Sequence, residues 1–316
     1  MTCSLCGNSE FEIVSERDAK SGGDLLVGMC VRCGLVQQTN IPTELDLSFY
    51  YSHSYREDYK GTLVPKPKHI FRSANAAVDR LDFLAGAGVE AGRLLDIGSG
   101  SGEFVYLANR SGFEAKGIEP NRGYVEYSSS EYECEYSCGF LDAARGEYDV
   151  VTAFHVLEHL PDPVRAFEKL HDLLSRKGVL IVEVPWLEAK DASPHNIFFG
   201  AHVYYFTADT LKACASQFFS IANIDTTVNL RAVFKPRPES VEFQIPAAES
   251  VEQVKRRLRE KGWLEYVTAG GGAIRPLQKL QRAVRESAVR GMSGKEITDM
   301  VYETRSSDSE ARGFVH

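Results

Sequence analysis

The chain has 316 residues, of which 43% are hydrophobic, 25% charged and 10% aromatic, the makeup of an ordinary globular protein of about two domains. Its formal net charge of −8, from 44 acidic and 36 basic residues, argues against a surface that coats nucleic acid throughout. No apolar run approaches the ~18–20 residues of a membrane span, and polar and cysteine residues stand where a signal peptide carries an apolar core, so a cytoplasmic location is expected.

Four of the seven cysteines form two C-x-x-C pairs, Cys3-Ser4-Leu5-Cys6 and Cys30-Val31-Arg32-Cys33, each followed by a glycine, Gly7 and Gly34. Such a pair lets two thiolates reach one ion from a single tight turn, and the glycine supplies the left-handed conformation that closes it. Two knuckles complete a tetrahedral four-cysteine zinc site, and a filled coordination sphere makes the metal structural. The 23 intervening residues fit a hairpin, with strands over 11–15 and 25–29 and a turn at Ser21-Gly22-Gly23-Asp24. Disulfides and a thioredoxin-like redox pair are the alternatives. A cytoplasmic setting disfavours the first, and a redox motif has no need of duplication. A module of ~45 residues has a small core, and metal binding worth on the order of 10–16 kcal/mol would hold it together. Cys134, Cys138 and Cys214 fit no ligand pattern.

A tyrosine-rich link over 49–59 follows, and Pro65 and Pro67 separate it from an amphipathic helix predicted at 69–84. Short β-branched runs then alternate with helical stretches, as parallel βαβ units do. Strands are predicted at 94–98, 115–119, 148–154 and 179–184, with 220–226 and 229–235 closing the sheet. Helices fill 102–111, 122–130, 164–174 and 208–216, the last with Thr207 as N-cap. Past Pro236-Arg237-Pro238 the character changes, and residues 250–290 carry ten basic and four acidic side chains. Ile274, Leu277, Leu280, Val284 and Ala288 recur at helical spacing and mark an amphipathic helix, set off by Gly270-Gly271-Gly272 from a basic helix before it. This segment reads as a solvated helical appendage; a phosphate-binding or partner-docking surface is the sharper alternative, with a homodimer as one outcome. Residues 306–313 are expected to fray.

Leu94-Leu95-Asp96-Ile97-Gly98-Ser99-Gly100-Ser101-Gly102-Glu103-Phe104 is a strand ending in a glycine-rich turn that opens a helix, a form that lets a ligand lie against bare backbone. Glu119 stands 17 residues after Gly102, at the end of the next predicted strand. A carboxylate there accepts both hydroxyls of a ribose and repels the 2′-phosphate of NADP. These residues alone leave both NAD and S-adenosylmethionine open.

The wider pattern separates the two. Over residues 70–236 the chain resembles the class I S-adenosylmethionine-dependent methyltransferases, through the 94–102 segment, Gly117-Ile118-Glu119-Pro120, Tyr148-Asp149-Val150-Val151, the run from Phe154 to Pro163, and that from Gly178 through Glu183 to Pro185. The resemblance implies an α/β fold with a doubly wound, seven-stranded Rossmann-like sheet. It places the glycine loop on the methionine part of the cofactor, Glu119 on the ribose, residues 139–141 beside adenine, and Phe154 and His155 near the reactive methyl. The implied cofactor-binding set is Asp96, Gly98, Ser99, Gly100, Gly102, Phe104, Glu119, Pro120, Phe140, Phe154 and His155.

His155-Val156-Leu157-Glu158-His159 formally matches H-x-x-E-H, the pattern of inverted zinc proteases. Because it follows a buried strand and begins a proline-broken turn, it reads as a local hydrogen-bonded turn, with Glu158 and His159 as candidate substrate contacts. A zinc module before such a fold is similar to the bacterial methyltransferases acting on sugars and related metabolites, including nucleotide-sugar C-methyltransferases. That resemblance folds the link over the pocket and makes Tyr50, Tyr55 and Tyr59 site candidates; the alternative is that they only join module to core. It extends to the segment from His195 to Phe206, where relatives often carry Glu-His before an aromatic run, and where Ala201 here replaces the glutamate. Only 80 residues follow Pro236, too few for the large second domain of the sugar C-methyltransferases.

The implied reaction is in-line displacement of the sulfonium methyl by a substrate oxygen, secondarily a carbon, of a sugar, nucleotide sugar or polysaccharide precursor. His202 is the first candidate for general base and His155 the second, since histidine titrates near neutrality, and Tyr204 is a further acceptor contact. The expected organisation is a zinc module at 1–45, a methyltransferase domain at 46–236 and a helical extension at 237–316. An RNA methyltransferase with a zinc module and a non-catalytic cofactor-binding scaffold are the alternatives.

Overall fold

The computed structural model describes residues 2–43, 65–194 and 197–313. The expectations for Tyr50, Tyr55 and Tyr59, and for His195 and Asn196, lie outside the described residues. The chain begins with strands β1 (Phe11–Arg17), β2 (Asp24–Cys30) and β3 (Val36–Gln38), followed by helix α1 (Pro67–Gly86). An alternating stretch comes next: β4 (Gly92–Ile97), α2 (Glu103–Arg110), β5 (Phe113–Glu119), α3 (Arg122–Tyr132), β6 (Glu135–Cys138) and β7 (Tyr148–Phe154). It continues as α4 (Pro163–Asp172), β8 (Leu174–Val184), β9 (Tyr204–Tyr205), α5 (Ala208–Ala215), β10 (Phe219–Asp225) and β11 (Leu230–Pro236). The C-terminal helices are α6 (Ala248–Glu260), α7 (Trp263–Thr268), α8 (Arg275–Ala288) and α9 (Gly294–Gly313). A seven-stranded sheet runs in the order β10-β11-β8-β7-β4-β5-β6, the doubly wound α/β sheet that the resemblance implied. No helix among the described residues is long and apolar enough to cross a membrane.

The chain divides into two compact units, one of the described residues of 1–47 with Ala153–Pro276, the other of those of 48–152 with Leu277–His316. In the second, β4, β5 and β6 pair in parallel, setting Asp96 opposite Gly117 and Glu119 opposite Cys138. The Leu94–Ile97 end of β4 is buried throughout, as a strand covered on both faces must be. Helix α1 opens on Pro67, whose missing N–H costs nothing in the first turn, and buries Ile70, Ala74, Ala77, Val78, Leu81 and Leu84 along one face. Ile70, Val289 and Ile297 form a small core that seats α9. The Lys295 N–H donates to Glu131 (2.7 Å), and Tyr132 and Thr298 share a hydrogen bond (3.2 Å). α9 runs on to Gly313, through the residues where fraying is expected.

In the other unit, β1 and β2 form the expected hairpin, Arg17 opposite Asp24. β2 pairs β3, and β3 pairs β9 with Val36 opposite Tyr205, so the hairpin becomes one four-stranded sheet with residues far along the chain. Val251 and Val254 of α6 bury against Val27, Met29, Val36, Leu187 and Tyr205, so part of the expected appendage is core. The Thr207 hydroxyl accepts from the Thr210 N–H while the Thr210 hydroxyl accepts from the Thr207 N–H, a reciprocal cap that starts α5 where expected. β11 pairs antiparallel with β8 and β10, which places Arg231 opposite Glu183.

Candidate functional site

In the second unit the buried strand β4 delivers Asp96 to the start of the glycine turn. Gly98, Gly100 and Gly102 all have positive φ, of 72°, 58° and 93°, conformations that a side chain disfavours. The Gly98 and Ser99 N–H groups donate to the Ile118 carbonyl (2.8 and 3.1 Å), pinning the turn to the end of β5. Glu119, 3% exposed, accepts from the Gly100 N–H on Oε2 and from the Asn121 N–H on Oε1, both at 3.0 Å. A carboxylate offers about four lone-pair sites, so these bonds orient it and leave capacity for further donors. The Gly139 N–H donates to the Glu119 carbonyl (3.1 Å), which brings Phe140 to the same edge, with Pro120 half-buried beside it. Phe104 is buried behind the loop, and the buried Ser99 Oγ has no hydrogen-bond partner among the described residues. The Asp96 carboxylate accepts from Thr152 Oγ1 (2.7 Å); burial pushes its carboxyl up to about 7, against the opposing effect of that bond.

Phe154 and His155 belong to the other unit. His155 has φ 56°, a left-handed conformation rare for a residue with a side chain, and its N–H donates to the Glu183 carbonyl (2.7 Å). Its Nδ1 lies 3.1 Å from Glu158 Oε1 and its Nε2 2.9 Å from Glu183 Oε1. Burial alone would lower this imidazole, but the bonds to the two carboxylates outweigh it and push it up to about 9. Glu183 is itself held by Arg231 Nε (2.8 Å) and Asn229 Nδ2 (2.9 Å). Both nitrogens of His155 are thus engaged by carboxylates that favour its charged form.

The backbone turns at Leu157–His159 in a single 3-10 turn, the local hydrogen-bonded turn expected and not the long helix of a protease. Glu158 is fully buried; burial would raise its carboxyl, but His155 and the neighbouring His159 hold it down at about 2. The Val203 N–H donates to the Glu158 carbonyl (2.8 Å), and His159 Nδ1 lies 2.6 Å from the Ala201 carbonyl, bringing the turn against the loop that carries His202. The rings of His159 and His202 meet edge to face at 4.9 Å, and His202 rests 4.1 Å from Phe199. Burial lowers His202 to about 3, with His159 adding to the effect, so it is neutral and weakly basic. Tyr204, expected at the acceptor, is 1% exposed; its hydroxyl donates to the Pro161 carbonyl (2.6 Å) and lies 2.7 Å from Ser4 Oγ, which makes it a tie between segments.

Residues that sequence reasoning did not single out hold this arrangement. Gln38 Nε2 donates to the carbonyls of Gly200 and His202 (2.9 Å each), and Asp18 accepts from the Gly200 N–H (2.6 Å). Lys20 Nζ stands 3.5 Å over the Phe199 ring. The one visible signal was Glu183, a carboxylate inside an apolar strand.

The four cysteines converge. Cys3 Sγ lies 3.5 Å from Cys33 Sγ and Cys6 Sγ 3.6 Å from Cys30 Sγ, and all four sulfurs fall within 4.8 Å of one another. Zinc–sulfur bonds of about 2.3 Å place sulfurs ~3.8 Å apart on a tetrahedron, so the quartet fits zinc. Gly7 and Gly34 have φ 70° and 74°, and their N–H groups donate to the Cys3 and Cys30 carbonyls (2.9 Å each), closing both knuckles as expected. Sharing of protons among Cys3, Cys30 and Cys33 lowers Cys30 and raises the other two.

Residues 68–218 match the family model described as a methyltransferase domain. That segment, just under half of the chain, carries a methyltransferase domain. The chain is 30% identical over 113 residues to a ubiquinone biosynthesis O-methyltransferase of Alkalilimnicola ehrlichii, covering 32% of this chain and 46% of that one. It is 22% identical over 233 residues to the C-methyltransferase NovU of Streptomyces niveus, covering 66% of this chain and 53% of that one. The chain spans about half the length of the curated relatives it matches. Among solved structures, the magnesium protoporphyrin IX methyltransferase (ChlM) of Synechocystis PCC 6803 with bound S-adenosylhomocysteine is similar, with 17% identity, a TM-score of 0.44, and coverage of 61% of this chain and 98% of that one. The match to the methyltransferase domain begins at α1 and ends after α5, so the four-cysteine hairpin and α6 to α9 lie outside it.

Proposed function

We propose that the protein moves the methyl group of S-adenosylmethionine to a hydroxyl oxygen of a small polar acceptor, a sugar or nucleotide sugar, in the cytoplasm. The observation that carries the reading is Glu119, a buried carboxylate bonded to the glycine loop on one side and to the next turn on the other, within the segment matched to methyltransferase domains. The cofactor supplies a methyl group on a sulfonium, already a good leaving arrangement. Asp96, Gly98, Ser99, Gly100, Gly102 and Phe104 form the cradle for its methionine end, Glu119 and Pro120 meet the ribose, and Phe140 meets the adenine. What remains for the enzyme is alignment of nucleophile, methyl and sulfur, and relief of the hydroxyl proton.

The Glu158–His159–His202 group is the proposed place where the acceptor hydroxyl is activated, with the His155 wall orienting it. Similarity to O-methyltransferases favours oxygen, and the Ala201 replacement weighs against carbon. The four cysteines hold a structural zinc that fixes the hairpin. The test is S-adenosylhomocysteine formation with candidate nucleotide sugars. His202→Ala should cut turnover and leave cofactor affinity intact; unchanged turnover would remove that group from the reaction.

A further inference from the structure

We propose that Glu158, His159 and His202 form a second metal site, separate from the four cysteines, which takes one borderline divalent cation such as Zn2+, Co2+ or Fe2+ and presents it to the acceptor hydroxyl. One carboxylate and two imidazoles, without thiolate, suit such ions, and their ligand atoms lie within 4.8 Å of one another. Bonds of about 2.0–2.2 Å set tetrahedral ligand atoms ~3.3–3.6 Å apart. The His159 Nε2 to Glu158 Oε1 distance, 3.8 Å, is already close to that, and a ligand atom of His202 lies within 4.8 Å of both.

Three features point to a cation here. Glu158 has no exposed surface, and its Oε2 has no hydrogen-bond partner among the described residues, a state that costs free energy unless something positive meets it. The Ala201 carbonyl can only accept, so His159 Nδ1 is the N–H that donates to it (2.6 Å), and the other ring nitrogen is the one turned to Glu158. A carbonyl behind an imidazole in this way is the usual support of a metal-bound histidine. On the far side, His155 Nδ1–H donates to Glu158 Oε1 and fixes the plane of the carboxylate, while the charge of Glu183 is met by Arg231.

Three protein ligands leave a coordination position open, the pattern of catalytic and not structural sites. A hydroxyl oxygen bound there loses its proton to solvent more readily, because the cation stabilises the alkoxide. That oxygen then forms its bond to the methyl carbon as the carbon–sulfur bond breaks, its electron pair passing to sulfur to give the neutral thioether. This deepens the methyl-transfer reading and rests on it for its chemistry; the metal binding itself does not.

The test is equilibrium dialysis of the full chain, holding its four-thiolate zinc, against Co2+, with elemental analysis and visible spectra. The expected result is one added equivalent of cobalt, with d–d bands and no thiolate charge transfer, lost in the Glu158→Gln/His202→Ala double variant while the zinc equivalent stays. If the double variant fails to retain zinc, His202→Ala alone decides. No added equivalent in the natural chain, or one that survives the substitutions, overturns the proposal. Turnover equal with and without the added equivalent overturns its role at the hydroxyl. Cobalt bound as expected with no methyl transfer to any sugar acceptor would instead sink the functional reading and leave the site standing.

Discussion

Asp96 gives the structure a measurable pH signature. Its carboxyl is pushed up to about 7 by burial, from 3.8 in an exposed chain, so between those values the folded state holds a proton that the unfolded state has released. Stability then falls as pH rises from about 4 to 7 and levels off above, by about 4 kcal/mol if three pK units are converted at about 1.36 kcal/mol each. Asp96→Asn keeps the acceptor for Thr152 Oγ1 and removes the ionisation. Urea unfolding of both proteins from pH 4 to 8 isolates the effect, because the difference between them cancels every other titrating group. The natural chain should lose ground to the variant steadily up to pH 7 and not beyond. A difference that stays flat with pH would refute the reasoning. A cationic methionine end arriving beside Asp96 favours the ionised carboxylate, so S-adenosylhomocysteine binding releases a proton and should weaken up to about tenfold for each pH unit below 7, in the natural chain alone.

Glu119→Gln should weaken S-adenosylhomocysteine binding by roughly 10- to 100-fold in calorimetry, the loss of a charge-assisted hydrogen bond worth about 1.5–3 kcal/mol. Cys33→Ser, or a strong chelator, should release zinc and melt the hairpin at β1 and β2, read as zinc content against loss of near-ultraviolet circular dichroism. Gln38→Ala leaves the Gly200 and His202 carbonyls without a buried donor. It should cost about 1–3 kcal/mol in unfolding and raise KM for the acceptor with cofactor affinity unchanged.

Where a feature depends on residues close in sequence, it was legible. β7 spans the residues expected for it, because its buried run is bounded by turn residues on both sides. The cysteine knuckles and the glycine turn were readable for the same reason, each being closed by its own glycines. β3, β6 and β9 were not foreseen: they are two to four residues long, too short to show alternation, and β9 exists only because β3 pairs with it. The character of the histidines was equally hidden. A lone histidine suggests a base near neutrality, but the bonds of His155 to Glu158, three residues on, and to Glu183, 28 residues on, push it up, and Glu183 is itself held by Arg231 across a strand pair. No local pattern carries that information.

The same non-local pairing changes what the four-cysteine hairpin is for. It extends the sheet of β3 and β9, and Asp18, Lys20 and Gln38 hold the loop that carries Phe199 and His202. A segment this small has too little core to keep three such contacts in register by packing alone, whereas a metal closed by four thiolates can. A zinc held by the proposed four-thiolate site would therefore act on the His202 loop through backbone geometry without touching a substrate. The cofactor cradle, in the other unit, is tied down by Glu119 and the Ile118 carbonyl and needs no help from the metal. Stripping the metal should thus leave cofactor binding intact while acceptor recognition fails.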